Sequence, residues 1–140
     1  MAVLIDTNFL LAAFYARDKN SVRANQAIRT LEMSRCIVAA PVLHELFHLA
    51  SVRINYSRAV DMLERMQVAG FDIRPLESDD RTRILEIMRQ YASAAFDYTG
   101  AAMMALSERL NITQVYTFDQ RDFRIFRPQH CPFLELLPAE

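Results

Sequence analysis

Several features that define large protein classes are scarce or missing in this chain of 140 residues. No apolar run approaches the roughly 18 residues that a membrane span needs, so no membrane association is expected. The first residues reach a charge at Asp6 without the basic start and long apolar core of a signal peptide, which favours a cytoplasmic protein. The two cysteines, Cys36 and Cys131, lie far apart without metal-ligand spacing. They are expected to be reduced thiols that pack as small hydrophobic side chains.

Positive charge is also limited, because the formal net charge is -1. The chain therefore lacks the overall basic character of many nucleic-acid-binding proteins. Lys19 is the only lysine among 16 basic residues, and the remainder are arginines, whose planar fork pairs well with phosphate. Genomic base composition could produce the same bias. Arg121, Arg124 and Arg127 lie beside an acidic loop, where they could contact phosphates or simply form a solvated surface.

The pattern that remains is typical of one folded domain over residues 1–140. Hydrophobic residues make up 52% of the chain, and no linker, repeat or low-complexity segment divides it. Apolar runs predict strands at 2–5, 36–40, 71–76 and 114–118, with a possible edge strand at 133–137. Helical patterns occur between them, with predicted helices at 8–16, from 20 or 21, from 41, from 57 to before Gly70, from 78 to 91 and from 97 to 110. This alternation predicts an α/β domain with a mostly parallel central sheet of four to five strands flanked by helices.

The segment His-Glu-Leu-Phe-His at 44–48 is a literal match to the H-E-x-x-H signature of zinc peptidases. On a helix, however, Val42 and Leu46 mark the core face, and His44 and His48 fall nearly opposite it. A zinc site also needs a third ligand, for which only Glu64 lies nearby in sequence. The two histidines are therefore interpreted as surface residues, and a zinc peptidase is kept as the less favoured alternative.

Acidic residues form a second pattern. Asp6 ends the first predicted strand, Glu45 lies on the flank of the third helix, Asp97 stands at a helix start, and Asp119 and Asp122 follow the fourth strand. Taken singly, these residues can be explained as helix caps or as solvated turn residues. Functional sites of α/β sheets form outside the carboxyl ends of the strands, where these acids can meet. Converging carboxylates repel one another unless a cation neutralises them, and oxygen ligands favour Mg²⁺ or Mn²⁺ over zinc.

These segments resemble the PIN-domain family, of the VapC-like toxin type that belongs to type II toxin-antitoxin modules. The resemblance spans almost the whole chain and is carried by LIDTNFLLA, VLHELFHLA, FDYTGAAMMALSERL, VYTFDQRDFRIFRP and FLELLP. It implies a cytoplasmic Mg²⁺-dependent endoribonuclease with an RNA substrate and a small antitoxin protein as partner, and it leaves a homodimer open. The implied metal ligands are Asp6 and Glu45, with Asp119 or Asp122 as the downstream acid. The implied supporting polar groups are Thr7, Asn8 and Thr117.

One position departs from the family pattern. The family usually has Asp directly before the Ala of its third motif, whereas this chain has Gly100 before Ala101 and keeps only Asp97, three residues earlier. Three explanations are open: Asp97 substitutes as a ligand, the site is weakened, or the chain is a disarmed version of a toxic enzyme. A non-catalytic PIN module that binds RNA or a protein is therefore the main alternative function.

Overall fold

A computed structural model, which describes residues 1–139, contains one sheet of five parallel strands in the order β3-β2-β1-β4-β5. The strands are β1 (Val3–Ile5), β2 (Cys36–Ala39), β3 (Asp72–Arg74), β4 (Gln114–Tyr116) and β5 (Glu135–Leu137). The predicted parallel α/β sheet is confirmed, and 133–137 supplies its fifth strand. Each predicted strand is one to three residues longer than the observed one, because the predicted runs extend beyond the paired residues at one end or at both ends.

The helices occupy the places that the helical patterns predict, with one addition. Their bounds are α1 (Thr7–Phe14), α2 (Ser21–Ile28), α3 (Ala40–Arg53), α4 (Tyr56–Val68), α5 (Ser78–Gln90), α6 (Tyr98–Arg109) and α7 (Arg121–Ile125), with a 3₁₀ helix at Met33–Arg35. The short α7 is not predicted by the sequence, since its five residues are too few for a helical pattern to be recognised. The α4 helix begins earlier than expected, because the side chain of Asn55 rather than Ser57 accepts a hydrogen bond at its N-terminus.

The central strands are buried on both faces, as parallel strands covered by helices usually are. All residues of β1 and β2 are buried. Because β1, β2 and β4 are parallel, they end at the same edge of the sheet, and α1 and α3 begin directly after β1 and β2. This edge is where the predicted acids can meet. Within residues 1–139 no helix is long and apolar enough to cross a membrane.

The α3 helix presents its predicted face to the core. Val42, Leu46 and Ala50 are fully buried, and Leu49 at the border of this stripe is half-buried. Pro41 lies in the first turn, where its missing N–H costs no helical hydrogen bond. The helix is therefore held in one rotation about its axis, which fixes the direction of Glu45.

Two ion pairs hold α6 against α5. The guanidinium of Arg109 donates to Asp80 at 2.8 Å, and that of Arg83 donates to Glu108 at 2.7 Å. Asp80 is only 2% exposed and also accepts from the backbone N–H of Glu77, so it caps α5 and pairs with α6 at once. The arginines lower the pKa of both carboxyls against the opposing effect of burial. These contacts fix the position of α6, whose N-terminus is capped by Asp97 at the acidic edge.

Truncation of Leu46 should reveal how strongly the core holds α3. We expect Leu46→Ala to lower the free energy of unfolding by about 3 kcal/mol, because it leaves a cavity under a fully buried side chain. His48→Ala, on the exposed face of the same helix, should change it by less than about 0.5 kcal/mol. Urea unfolding measures both values. Equal losses in the two variants would contradict this orientation of α3.

Candidate metal centre

Asp6 lies where β1 meets α1 and is almost completely buried, with 8% of its surface exposed. One carboxylate oxygen accepts from the backbone N–H of Thr7 at 2.8 Å, which caps α1. The other oxygen accepts from the hydroxyl of Thr117 at 2.8 Å and from the amide of Asn8 at 3.2 Å. Three donors, two from the start of α1 and one from the end of β4, thus hold this carboxylate in one orientation.

The environment of Asp6 disfavours its charged form. Burial is the largest cause, and the negative charges of Glu45 and Asp97 add to it, which together raise the pKa of Asp6 to about 6. The hydrogen bonds from Thr117 and Thr7 oppose this shift only in part. Asp6 is therefore a carboxylate whose charge is poorly compensated by the protein alone.

The other predicted acids surround the same crevice. It has a volume of about 60 Å³, enough for a small hydrated ion but far below the 300 Å³ or more of sites for organic cofactors. The residues that line it are Asp6, Asn8, Glu45, Asp97, Gly100, Asp119, Asp122 and Phe123. The structure thus brings all five predicted acids together, although they come from four separate parts of the chain.

Asp97 also has a structural role at this crevice. Its carboxylate accepts from the backbone N–H of Gly100 at 2.8 Å and so caps α6. A Cβ atom on Gly100 would lie only 2.8 Å from this carboxylate oxygen. The missing side chain at position 100 therefore makes room for the capping position of Asp97, which lies one helical turn before the acid that the family pattern usually has.

The downstream acids occupy different positions. The backbone N–H of Asp119 donates to the Thr117 hydroxyl at 3.1 Å, which fixes the loop after β4. Asp122 lies on α7, so it is a helical residue and not part of a solvated turn. Burial, with the charges of Asp119 and Asp97, raises the pKa of Asp122, and Arg121 opposes this shift.

The predicted supporting residues connect these acids. The side-chain oxygen of Asn8 accepts from the backbone N–H of Phe118 at 2.8 Å, and its amide donates to Asp6 and to Thr117. Asn8 thereby fastens the loop after β4 to the start of α1. The hydroxyl of Thr7 is buried and has no hydrogen-bond partner among the described residues.

The three arginines predicted to contact phosphate lie outside the lining of the crevice. Arg121 pairs with Asp122 at 2.6 Å, Arg124 donates to Gln120 at 2.8 Å, and Arg127 donates to the carbonyl of Arg124 at 2.6 Å. All three are exposed, but each guanidinium is already engaged with α7 or its flanks. Their contact with a nucleic acid remains a prediction.

The histidines of the zinc-peptidase motif do not reach this crevice. His44 and His48 are exposed, and Glu64, the third ligand considered for zinc, is exposed on α4. His44 instead lines an apolar groove of about 410 Å³ with Leu43, Phe47, Leu63, Met66 and Gln67. The surface interpretation of the histidines agrees with these positions.

Comparison with known proteins identifies the family. Residues 3–127 match the model of the PIN domain. The chain belongs to the PIN-domain family. No curated protein sequence matches it.

Several solved structures share the fold of this PIN domain. The VapC20 toxin of Mycobacterium tuberculosis, which cleaves the sarcin-ricin loop, has a TM-score of 0.78 at 18% identity and aligns over 85% of this chain and 91% of its own. The VapBC2 structure from Rickettsia felis, bound to promoter DNA, has a TM-score of 0.71 at 13% identity over 100% of both chains. A toxin-antitoxin complex from Klebsiella pneumoniae has a TM-score of 0.63 at 19% identity over 87% and 90%. At these identities the likeness establishes the fold.

The side chains of the PIN domain's crevice have the chemistry that a hard cation requires. Their acidic groups do not, however, surround one common position. Within residues 1–139 no three His, Cys, Asp or Glu side chains are positioned to hold a metal ion in their present conformations. Asp97 accepts the capping hydrogen bond from Gly100, and Asp122 is paired with Arg121. The all-oxygen donor set and the uncompensated charge fit Mg²⁺ or Mn²⁺.

The raised pKa of Asp6 predicts a pH dependence of stability in the presence of a chelator. Folding favours protonated Asp6, so its contribution to stability is present below about pH 4 and is lost as the pH rises to about 6. The loss amounts to about 3 kcal/mol, since one pKa unit corresponds to about 1.4 kcal/mol. Asp6→Asn should therefore gain stability relative to the wild type across this interval in urea unfolding. A difference that does not vary between pH 4 and 7 would contradict the raised pKa.

Proposed function

We propose that this PIN domain is a Mg²⁺- or Mn²⁺-dependent endoribonuclease and the toxin of a toxin-antitoxin pair. The observation that carries the proposal is the convergence of five acids on one crevice around a buried Asp6. Such a cluster is unfavourable for the protein alone, and a divalent cation relieves it. Membership of the PIN family and the fold shared with the VapC20 toxin support the nuclease assignment.

The residues divide the chemistry between them. Asp6, Glu45 and Asp97 would hold one ion, and Asp119 with Asp122 would hold a second ion or position the first. When bound, a divalent ion lowers the pKa of a coordinated water and stabilises the leaving oxygen of a phosphodiester. In-line attack would leave 5′-phosphate and 3′-hydroxyl ends, as the family resemblance implies.

Neighbouring polar groups orient these ligands. The Thr117 hydroxyl and the Thr7 N–H hold the Asp6 carboxylate in one orientation. This ligand is therefore preorganised before RNA binds. Asn8 keeps the loop that carries Asp119 against α1. Arg121 forms an ion pair with Asp122. When a bound cation replaces Arg121 as the partner of Asp122, the Arg121 guanidinium would become free to contact a phosphate.

An apolar surface supports the proposed antitoxin partner. The groove beside His44 and Phe47 is mainly apolar in its lining, and Tyr56, which packs edge-to-face on Phe47 at 5.7 Å, is 69% exposed. Exposed aromatic residues often anchor protein interfaces. A small partner that covers this groove and directs a basic side chain to the acidic crevice would neutralise the same carboxylates as the metal.

A non-catalytic PIN module is the second candidate function. The observation that favours it is Gly100, which removes the usual acid of the third motif, together with the use of Asp97 as a helix cap. Such a module would bind RNA or a protein partner without cutting. Measurement of turnover distinguishes the two functions.

Cleavage of total RNA with Mg²⁺, Mn²⁺, Zn²⁺ or chelator, each in parallel, tests the proposal. We expect cleavage with Mg²⁺ or Mn²⁺ and none with chelator. Glu45→Gln should lower the rate by more than about 100-fold, since loss of groups that merely orient metal ligands already costs about 10–100-fold. The control combines His44→Ala with His48→Ala on the same helix and should keep most activity. Zinc-dependent activity that requires both histidines would overturn the proposal in favour of a peptidase-type site.

The third motif allows a sharper experiment. Gly100→Asp should raise Mn²⁺ affinity and RNA cleavage by about tenfold or more, equivalent to about 1.4 kcal/mol, because it adds a carboxylate to the crevice lining. The new Cβ would displace the Asp97 oxygen from its cap, which should cost about 1 kcal/mol of stability. Gly100→Asn is the matched control, since it has the same size without the charge.

Asp97→Asn in the native background completes this test. If Asp97 is the remaining ligand on α6, this variant should remove both metal binding and cleavage, as measured by calorimetry and by RNA cleavage. If Gly100→Asp changes neither property while Asp97→Asn destroys both, the assignment of position 100 to the third motif is wrong by one helical turn. If neither variant changes metal binding, α6 contributes no ligand.

A further inference from the structure

A further concave surface, separate from the acidic crevice and from the apolar groove beside His44, lies at the far end of α1 and α3. It is a groove of about 290 Å³, near the lower limit of typical ligand sites. Its lining consists of Tyr15, Arg17, Ile54, Asn55 and Arg58. It therefore combines two cations, an aromatic ring and an amide at one place.

The guanidiniums of this groove are available to a ligand. Arg17 and Arg58 are both exposed, and neither side chain makes a hydrogen bond or an ion pair with a described residue. Arg58 also lines an adjoining concavity with Arg65 and Asp61. The two concavities together contain three arginines and one aspartate, so this surface is positive although the whole chain has a net charge of -1.

The position of the groove is related to the acidic crevice by two helices. Asp6 caps the start of α1 and Tyr15 its end, so about nine residue steps, or about 14 Å, separate the crevice from the groove along this helix. Glu45 and Ile54 are separated in the same way along α3, which packs against α1. A distance of about 14 Å corresponds to about four stacked nucleotides at about 3.4 Å each.

We propose that this groove binds a backbone phosphate and the adjacent nucleoside of a single-stranded RNA whose scissile bond lies at the acidic crevice. The proposal rests on the nuclease function proposed above. Arg17 and Arg58 would hold the phosphate in two-point contacts. Tyr15 offers a ring for base stacking, and the side-chain N–H₂ of Asn55, whose oxygen caps α4, can donate to a base edge.

A separate anchoring site explains how a neutral-to-acidic protein can hold RNA. The crevice itself is negative until a cation binds, so it cannot attract phosphate. Arg121, Arg124 and Arg127 are engaged with α7 or its flanks in the present conformation. Arg17 and Arg58, at the far end of the helices, supply positive charge at a place where the carboxylates of the crevice do not cancel it.

The test measures binding of a fluorescently labelled single-stranded RNA of about 12 nucleotides in chelator, where metal-dependent cleavage does not occur. Fluorescence anisotropy at several salt concentrations gives the slope of log K against log salt, which changes by about 0.7 for each phosphate that the protein ceases to neutralise. Arg17→Gln combined with Arg58→Gln should reduce the magnitude of this slope by about 1.4. The matched control combines Arg29→Gln with Arg89→Gln, which removes the same charge from two exposed arginines outside the crevice and the groove. This control should reduce the magnitude of the slope by less than half of the reduction in the Arg17 and Arg58 variant.

Three results would overturn the proposal. The first is a wild-type protein whose RNA affinity does not depend on salt, and the second is an equal change of slope in both double variants. The third is an Arg17 and Arg58 variant that binds RNA as the wild type does but no longer binds a polyglutamate peptide. That result would identify the groove as a protein-binding surface. Cleavage enters none of these measurements, so a protein that binds RNA through the groove without cutting it overturns only the nuclease function.

Discussion

The buried carboxylate of Asp6 is the constraint on which the rest of the site depends. Its burial and the charges of Glu45 and Asp97 raise its pKa to about 6, while donors from Thr7 and Thr117 hold it in place. The protein therefore positions an acid that it does not fully neutralise. This is the electrostatic condition under which a divalent cation gains most from binding, because it relieves desolvation and repulsion together.

Contacts that lie far from Asp6 position the helices that carry the neighbouring acids. The buried face of α3 at Leu46 fixes the direction of Glu45, and the pairing of Arg109 with Asp80 holds the helix that Asp97 caps. Acids are thus collected at the carboxyl edge of the sheet, while the arginines of the second groove are kept at the far ends of α1 and α3. This separation of charge puts an acidic crevice and a positively charged groove on one small domain.

The strands and the position of Asp6 are predictable from the sequence because they depend on neighbouring residues. A short apolar run predicts a buried strand, and the charged residue that follows it marks the end of that strand. The orientation of α3 is likewise predictable from the spacing of Val42 and Leu46. The short helix α7 and the ion pair between Asp80 and Arg109 were not predictable, since they depend on contacts across the fold. The link between Gly100 and the capping position of Asp97 was not predictable either, because it depends on an approach of 2.8 Å between a Cβ atom at position 100 and the Asp97 carboxylate.

Titration of the Asp6 side-chain carboxyl by carbon-detected NMR, with and without Mg²⁺, tests the central claim most directly. In chelator the carboxyl of Asp6 should titrate at about pH 6, as its burial requires. With saturating Mg²⁺ this pKa should fall below its ordinary value of 3.8, because a bound cation stabilises the charged form. A pKa near 3.8 in chelator, or one near 6 that does not respond to Mg²⁺, would contradict the claim that Asp6 is held ready for a cation.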